Sequence, residues 1–178
     1  MVKCPACGEE NIEGADQCSQ CQTSLEFLSA PSPRSRLEQK LLRDRVSMLA
    51  PRQPVVVSPQ EPIAEVLDLL VGQSIGCVLV VDSQRSQADR IVGIFSERDA
   101  LLRLNTEWQS LGDRPVAEFM TPRPETIEAT AQIAQALSKM DTGGYRHMPV
   151  TTGGVLTGVI SIRDILDYIT ANLLTEVD

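Results

Sequence analysis

The chain opens with two Cys-x-x-Cys pairs, Cys4 with Cys7 and, ten residues later, Cys18 with Cys21. Two pairs at this spacing offer four thiolates to one tetrahedral zinc ion, each pair forming a knuckle, with Gly8 supplying the first tight turn. Four thiolates close the coordination shell, so such a zinc would be structural and not hydrolytic. A segment this short has almost no core, so the metal would supply most of its folding free energy, on the order of 10 kcal/mol or more. The same residues also admit a redox dithiol or a zinc- and thiol-based redox sensor. A fifth cysteine, Cys77, lies in the apolar run GCVLVV and reads as a small core residue.

A second chemical pattern is written twice. GIFSERDAL (93–101) and GVISIRDIL (158–166) each run from a strand into a helix, with Ser at the joint and Asp three residues on. The local reading is a capping box with Asp in place of Glu: Ser96 and Ser161 cap their helices, and Asp99 and Asp164 reach back to the serine N–H. The functional reading uses the same geometry. A helix start suits a phosphate, a carboxylate accepts hydrogen bonds from ribose hydroxyls, and Gly93 and Gly158 let backbone come close. Arg98 and Arg163, inside the joints, are either solvent-facing or phosphate ligands. YRHMPV (145–150) adds Arg146 and the only histidine, His147, just before a strand. Arginine grips phosphate in a bidentate manner, whereas a lone histidine is as readily a packing residue.

These residues sit in a repeat. Shifted by seventy positions, VSMLAPRQPVVVSPQEPIAEVLDLL (46–70) falls on VAEFMTPRPETIEATAQIAQALSKM (116–140), matching Val46 with Val116, Leu49 with Phe119, Ile63 with Ile133 and Leu67 with Leu137. At the joints the offset falls to sixty-five, so the first copy carries an insertion in the polar stretch DSQRSQADR (82–90). Each copy reads as strand, helix, strand, strand, helix: PVVVS or ETIE, then EPIAEVLDLLVG or TAQIAQALSKM with apolar residues at helical spacing, then two strands, then ERDALLRL or IRDILDYITANLL. Pro62 suits the first turn of its helix. Residues 29–36, SAPSPRSR, read as a linker, and RSRLEQKLLRDRVSML (34–49) as a basic amphipathic helix packing on the repeats. Trp108 reads as a packing anchor between the copies and DTGG (141–144) as a turn. The expected division is 1–28 for the cysteine segment, 29–45 for linker and basic helix, 46–110 for the first repeat and 114–178 for the second.

Composition narrows the function. A net charge of −8 argues against nucleic-acid binding. No apolar run reaches the roughly 20 residues of a membrane helix, and the start MVKCPACGEE has no signal-peptide core. The expectation is a cytoplasmic protein without a membrane partner. No catalytic triad, paired-carboxylate motif or P-loop appears, so no enzyme is expected.

The repeat resembles the cystathionine-β-synthase (CBS) domain in tandem, the Bateman module, most specifically through MTPRPETIEA (120–129), YRHMPV (145–150), GVISIRDIL and GIFSERDAL; the first copy has IGCVLVV (75–81) where the family shows a Pro-Val step. The cysteine segment resembles short prokaryotic zinc ribbons. The resemblance implies a mixed α/β fold (α+β) of two CBS repeats and a regulatory ligand containing adenosine: AMP, ADP, ATP or S-adenosylmethionine. It assigns Ser96 and Asp99, and Ser161 and Asp164, to ribose and phosphate. Arg146 and His147 fall to phosphate, and Thr126, Ile127 and Ala129 to the surroundings of the base; Pro149 is expected in the same nucleotide site, as are Arg98 and Arg163 where they act as phosphate ligands. It further implies a homodimer acting on a regulated protein. In the alternative, the pair has lost its ligands, both joints are only caps, and the protein is an assembly scaffold.

Overall fold

From Val56 onward aliphatic strands alternate with amphipathic helices, and the architecture follows that alternation through two half-modules. The computed structural model describes residues 2–12, 15–25, 36–85, 90–104 and 108–174. Two units are separable, residues 1–39 and 40–178. In the first, β1 (Val2–Lys3) pairs antiparallel with β2 (Glu10–Asn11), and Leu25 is buried with Cys4 and Cys18. The linker at 29–35 and the loop tip at 86–89 lie outside the described residues, as does the side chain of Trp108.

The second unit holds a mixed α/β arrangement. In its first half come β3 (Val56–Val57), α2 (Ile63–Gly72), β4 (Cys77–Val81), β5 (Ile91–Ser96) and α3 (Glu97–Asp99), preceded by α1 (Arg36–Arg43) and followed by α4 (Trp108–Leu111). The other half has β6 (Thr121–Pro122), β7 (Ile127–Glu128), α5 (Ile133–Gly143), β8 (His147–Thr152), β9 (Val155–Ser161) and α6 (Ile162–Leu174). Helix α2 buries Ile63, Val66 and Leu70, and α5 buries Ile133, Ala136 and Met140, the same three-and-four spacing seventy residues apart. Pro62 is the residue that caps α2 and not part of its first turn. Gly144 ends α5 with φ of 64°. The two final helices differ. α6 is a regular helix of 13 residues, whereas α3 has a single turn that passes into a π-helical stretch over Ala100–Leu104.

Two sheets form, in the orders β3-β4-β5-β6 and β7-β8-β9, with parallel β3/β4 and β7/β8 pairs and antiparallel pairs elsewhere. The first sheet therefore ends on β6, a strand from the second half. An isolated bridge between Arg52 and Val159 sets a piece of the first half beside β9 in the same way.

This crossing extends to the cores. Val46 and Leu49, which open the first repeat, are buried with Ile133, Met148, Ile160 and Ile165 of the second. Val116 and Phe119, which open the second, are buried with Ile63, Val66, Val78 and Phe95 of the first. The backbone repeats the exchange at the seventy-residue register. Ile63 N–H donates to the Arg114 carbonyl at 2.8 Å and Ile133 N–H to that of Asp44 at 2.9 Å, so each helix start finds its acceptor in the other copy's opening segment. Val116 and Val46 donate in turn to Glu61 and Ala131, at 2.9 and 2.8 Å. Ahead of this segment, Leu41 packs against the second core, Lys40 Nζ donates to Asn172 Oδ1 at 2.5 Å, and the Tyr168 hydroxyl donates to Asp44 Oδ2 at 2.5 Å.

The exchange explains Gly93 and Gly158. The space beside Gly93 is taken by the side chain of Met120, and Pro51 Cβ lies 2.6 Å from where a Cβ on Gly158 would stand. The close approach that these glycines allow is that of the crossed segments. No helix among the described residues is long and apolar enough to cross a membrane.

Candidate functional site

Both joints fold as capping boxes, because Ser and Asp at this spacing satisfy backbone groups that a helix start leaves open. At the first, Ser96 N–H and O–H donate to Asp99 Oδ2 at 3.0 and 2.6 Å, and Asp99 N–H returns a bond to Ser96 Oγ at 3.4 Å. At the second, Ser161 N–H and O–H donate to Asp164 Oδ2 at 2.6 and 2.7 Å. The local reading of the joints thus holds at both.

The other carboxylate oxygens separate the two. Asp99 Oδ1 accepts from the Thr121 hydroxyl at 3.1 Å and lies 3.2 Å from Arg103 Nη2. Arg103 also donates from Nη1 to the carbonyls of Phe119 and Met120, at 2.7 and 2.5 Å, and from Nη2 to Thr121 Oγ1 at 3.0 Å. One guanidinium therefore ties the acid to the crossed strand β6. Asp164 Oδ1 accepts from Arg52 Nη2 at 3.0 Å, the one hydrogen bond outside the cap among the described residues, and that arginine side chain is 66% exposed.

Asp99 lines a cleft of about 870 Å3 between the two halves. One wall is the end of β5 with the π-helical stretch, including Leu101 and Leu102; the other is Thr121 to Glu125 with Gly143 to His147. Of the residues expected from sequence, the cleft gathers Ser96, Arg98, Asp99, Arg146 and His147. Ser161, Arg163 and Asp164 stand outside its lining, with Arg163 exposed. Thr126 is exposed, the Ile127 side chain is in the second core, and Pro149 is buried in β8. Ala129 packs beside that core, its N–H on the Thr151 carbonyl and its own carbonyl on Ser47 N–H.

The cleft carries four arginines, Arg98, Arg103, Arg123 and Arg146. Arg98 donates to the Gly144 carbonyl at 2.8 Å. Arg123 and Arg146 have no side-chain hydrogen bond or ion pair among the described residues, so both remain available to an anion. Glu125 is drawn off by Lys139 at 2.6 Å, which holds its carboxyl below the ordinary value. His147 packs over Gly76, its Nε2 2.5 Å from where a Cβ would stand. Burial depresses its pKa, against the pull of Glu97 and Asp164. Cys77 is buried in β4, where loss of solvent pushes its thiol up to about 12 and leaves it unreactive. Sequence reasoning missed Thr121, Arg103, Arg123 and Tyr145 in the cleft. Only Arg103 had a local signal, four residues after Asp99 on a helical period.

In the first unit the sulfurs of Cys4, Cys7, Cys18 and Cys21 lie within 4.8 Å of one another. The two knuckles match. Gly8 N–H donates to the Cys4 carbonyl at 2.9 Å and Gln22 N–H to that of Cys18 at 3.0 Å, with φ of 78° and 57° at the two turn residues. Buried Asn11 donates to Cys18 Sγ at 3.6 Å and accepts from Ser19 N–H at 2.9 Å. The N–H groups of Cys21 and Gln20 hold the Cys18 thiol low, whereas the neighbouring thiols Cys21, Cys18 and Cys4 together with burial push the Cys7 thiol up, against the Glu9 backbone. Four sulfurs within 4.8 Å of one another, with the buried Asn11 amide behind Cys18, fit a zinc ion.

The family model for the CBS domain matches residues 46–105 and again 116–171. A 17.7 kDa protein of Acidianus ambivalens is 33% identical over 122 residues, covering 68% of this chain and 70% of its own. A CBS domain protein of Pyrobaculum aerophilum, solved in complex with AMP, is 31% identical, covers 74% of this chain and 98% of its own, and superposes with a TM-score of 0.61. A CBS-domain protein of Agrobacterium tumefaciens is 28% identical with a TM-score of 0.61, covering 69% and 94%.

Proposed function

The chain belongs to the CBS domain family, and from that premise we propose that it is a non-enzymatic sensor whose inter-repeat cleft takes an adenosine-containing ligand. The observation that carries this reading is the meeting of Asp99 with Arg123 and Arg146 in one cleft of about 870 Å3. A carboxylate suits the ribose diol and two uncommitted guanidinium groups suit phosphate. The Pyrobaculum protein with its bound AMP supports the same ligand class. AMP, ADP, ATP and S-adenosylmethionine are the candidates. In this reading the Asp164 joint is a second, separate position. The ribbon cysteines hold one structural zinc through Cys4, Cys7, Cys18 and Cys21. The protein works in the cytoplasm as a homodimer and passes ligand occupancy to a partner protein. The assembly-scaffold reading draws on the capping role of both acids, which needs no ligand.

A thermal-shift series with the four ligands separates the two, since a ligand that binds only the folded state stabilises it by mass action. The sensor raises Tm with at least one ligand at millimolar concentration, and Asp99→Asn loses that rise. Flat curves with all four ligands leave the scaffold.

A further inference from the structure

We propose that Arg103 sets the affinity of the cleft for ribose by competing with it for Asp99. The inference rests on the nucleotide reading of the cleft. A carboxylate has about four acceptor positions, two on each oxygen. Both positions on Asp99 Oδ2 are used by Ser96, through its N–H and its hydroxyl. Oδ1 takes the Thr121 hydroxyl at 3.1 Å, and Arg103 Nη2 stands 3.2 Å from the same oxygen. The side chain of Asp99 is only 14% exposed, so the remaining approaches to it are few. A sugar hydroxyl that donates to Asp99 must therefore displace a donor already in place.

Arg103 is the donor that gives way. Asp99's bonds to Ser96 hold the helix start, and breaking them opens the cap. The Thr121 hydroxyl donates to Asp99 while its oxygen accepts from Arg103, so it keeps one bond to the guanidinium wherever its own proton points. The Arg103 side chain is 40% exposed, and when it leaves Asp99 it retains the carbonyls of Phe119 and Met120. The other joint lacks this arrangement. Beyond its cap Asp164 has a hydrogen bond only with Arg52 among the described residues, and the position equivalent to Arg103, Tyr168, is turned to Asp44. Arg103 thus acts as an internal competitor for the sugar at one of the two acids. Its effect is opposite in sign to that of an ordinary binding residue.

The test uses adenosine, which is neutral, so that no phosphate contact enters. Isothermal titration compares the zinc-loaded 178-residue chain with its Arg103→Met variant, which keeps the aliphatic stem. Freed from the competitor, Arg103→Met binds adenosine about two- to fivefold more tightly, the range expected for a solvent-screened ion pair. A second measurement needs no variant. Raising NaCl from 50 to 500 mM screens the Arg103–Asp99 pair and tightens adenosine binding to the native protein, while Arg103→Met shows no such gain. Equal or weaker adenosine binding by Arg103→Met, together with salt-independent binding by the native protein, overturns the proposal and leaves the sensor reading standing. Absence of binding by both adenosine and AMP removes the sensor reading and this proposal together.

Discussion

Pro51 lies against Gly158, its Cβ 2.6 Å from the point where any side chain at 158 would begin. A proline ring cannot rotate out of the way, and the Arg52 carbonyl stands 3.4 Å from the same point. Gly158→Ala is therefore expected to push the crossed segment off β9 and cost about 1–3 kcal/mol. At the equivalent place Gly93 meets the flexible Met120 side chain, which can swing aside. Gly93→Ala should cost less than Gly158→Ala. Urea unfolding of the two variants checks the order; equal losses, or none, would refute the crossed packing.

Stability should fall in mild acid through His147. Burial holds its folded-state pKa below the ordinary 6.5, while Glu97 and Asp164 pull upward and Arg146 and Arg52 downward. The unfolded chain then takes up the proton first as pH drops. The contribution is whole above 6.5 and is lost as pH falls through that value toward the lower folded-state pKa. Tm measured from pH 7.5 to 5 should decline, and His147→Gln should flatten the decline in this window. A native profile no steeper than that of the variant would count against a buried neutral imidazole.

Metal removal should act on one unit only. Among the described residues, those of 1–39 bury little beyond Cys4, Asn11, Cys18 and Leu25, whereas residues 40–178 carry two aliphatic cores of their own. Elemental analysis is expected to give one zinc per chain, lost in Cys18→Ser. Chelation should collapse the amide signals of residues 2–25 and leave the main melting transition of 40–178 in place. Zinc-free protein with those signals unchanged would show that the cysteines fold without metal.

The sequence exposed what is local and hid what is tertiary. The seventy-residue register was legible because Ile63, Val66 and Leu70 keep helical spacing and reappear as Ile133, Ala136 and Met140. The Ser96/Asp99 and Ser161/Asp164 boxes were legible because a cap is a contact between residues three apart. The crossing was not. Val46 with Leu49 and Val116 with Phe119 carry the same apolar pattern, and nothing in that pattern says which core receives them. For the same reason the pattern does not say that the close approach at Gly93 and Gly158 is that of Met120 and Pro51. Arg103 stood in view four residues after Asp99, yet its partners Phe119, Met120 and Thr121 are brought to it only by β6. Nor did DALLRL signal a π-helical turn, since its apolar spacing suits an ordinary helix equally well.

The exchange of opening segments also imposes a timetable on synthesis. The first core is complete once Phe119 has left the ribosome, whereas Val46 and Leu49, made far earlier, wait for Ile160 and Ile165. Through that interval the nascent chain trails an unsatisfied apolar leader from a finished half. A chain stalled between Pro122 and Val155 keeps that leader exposed, because the residues Ile160 and Ile165 that cover it have not yet been made.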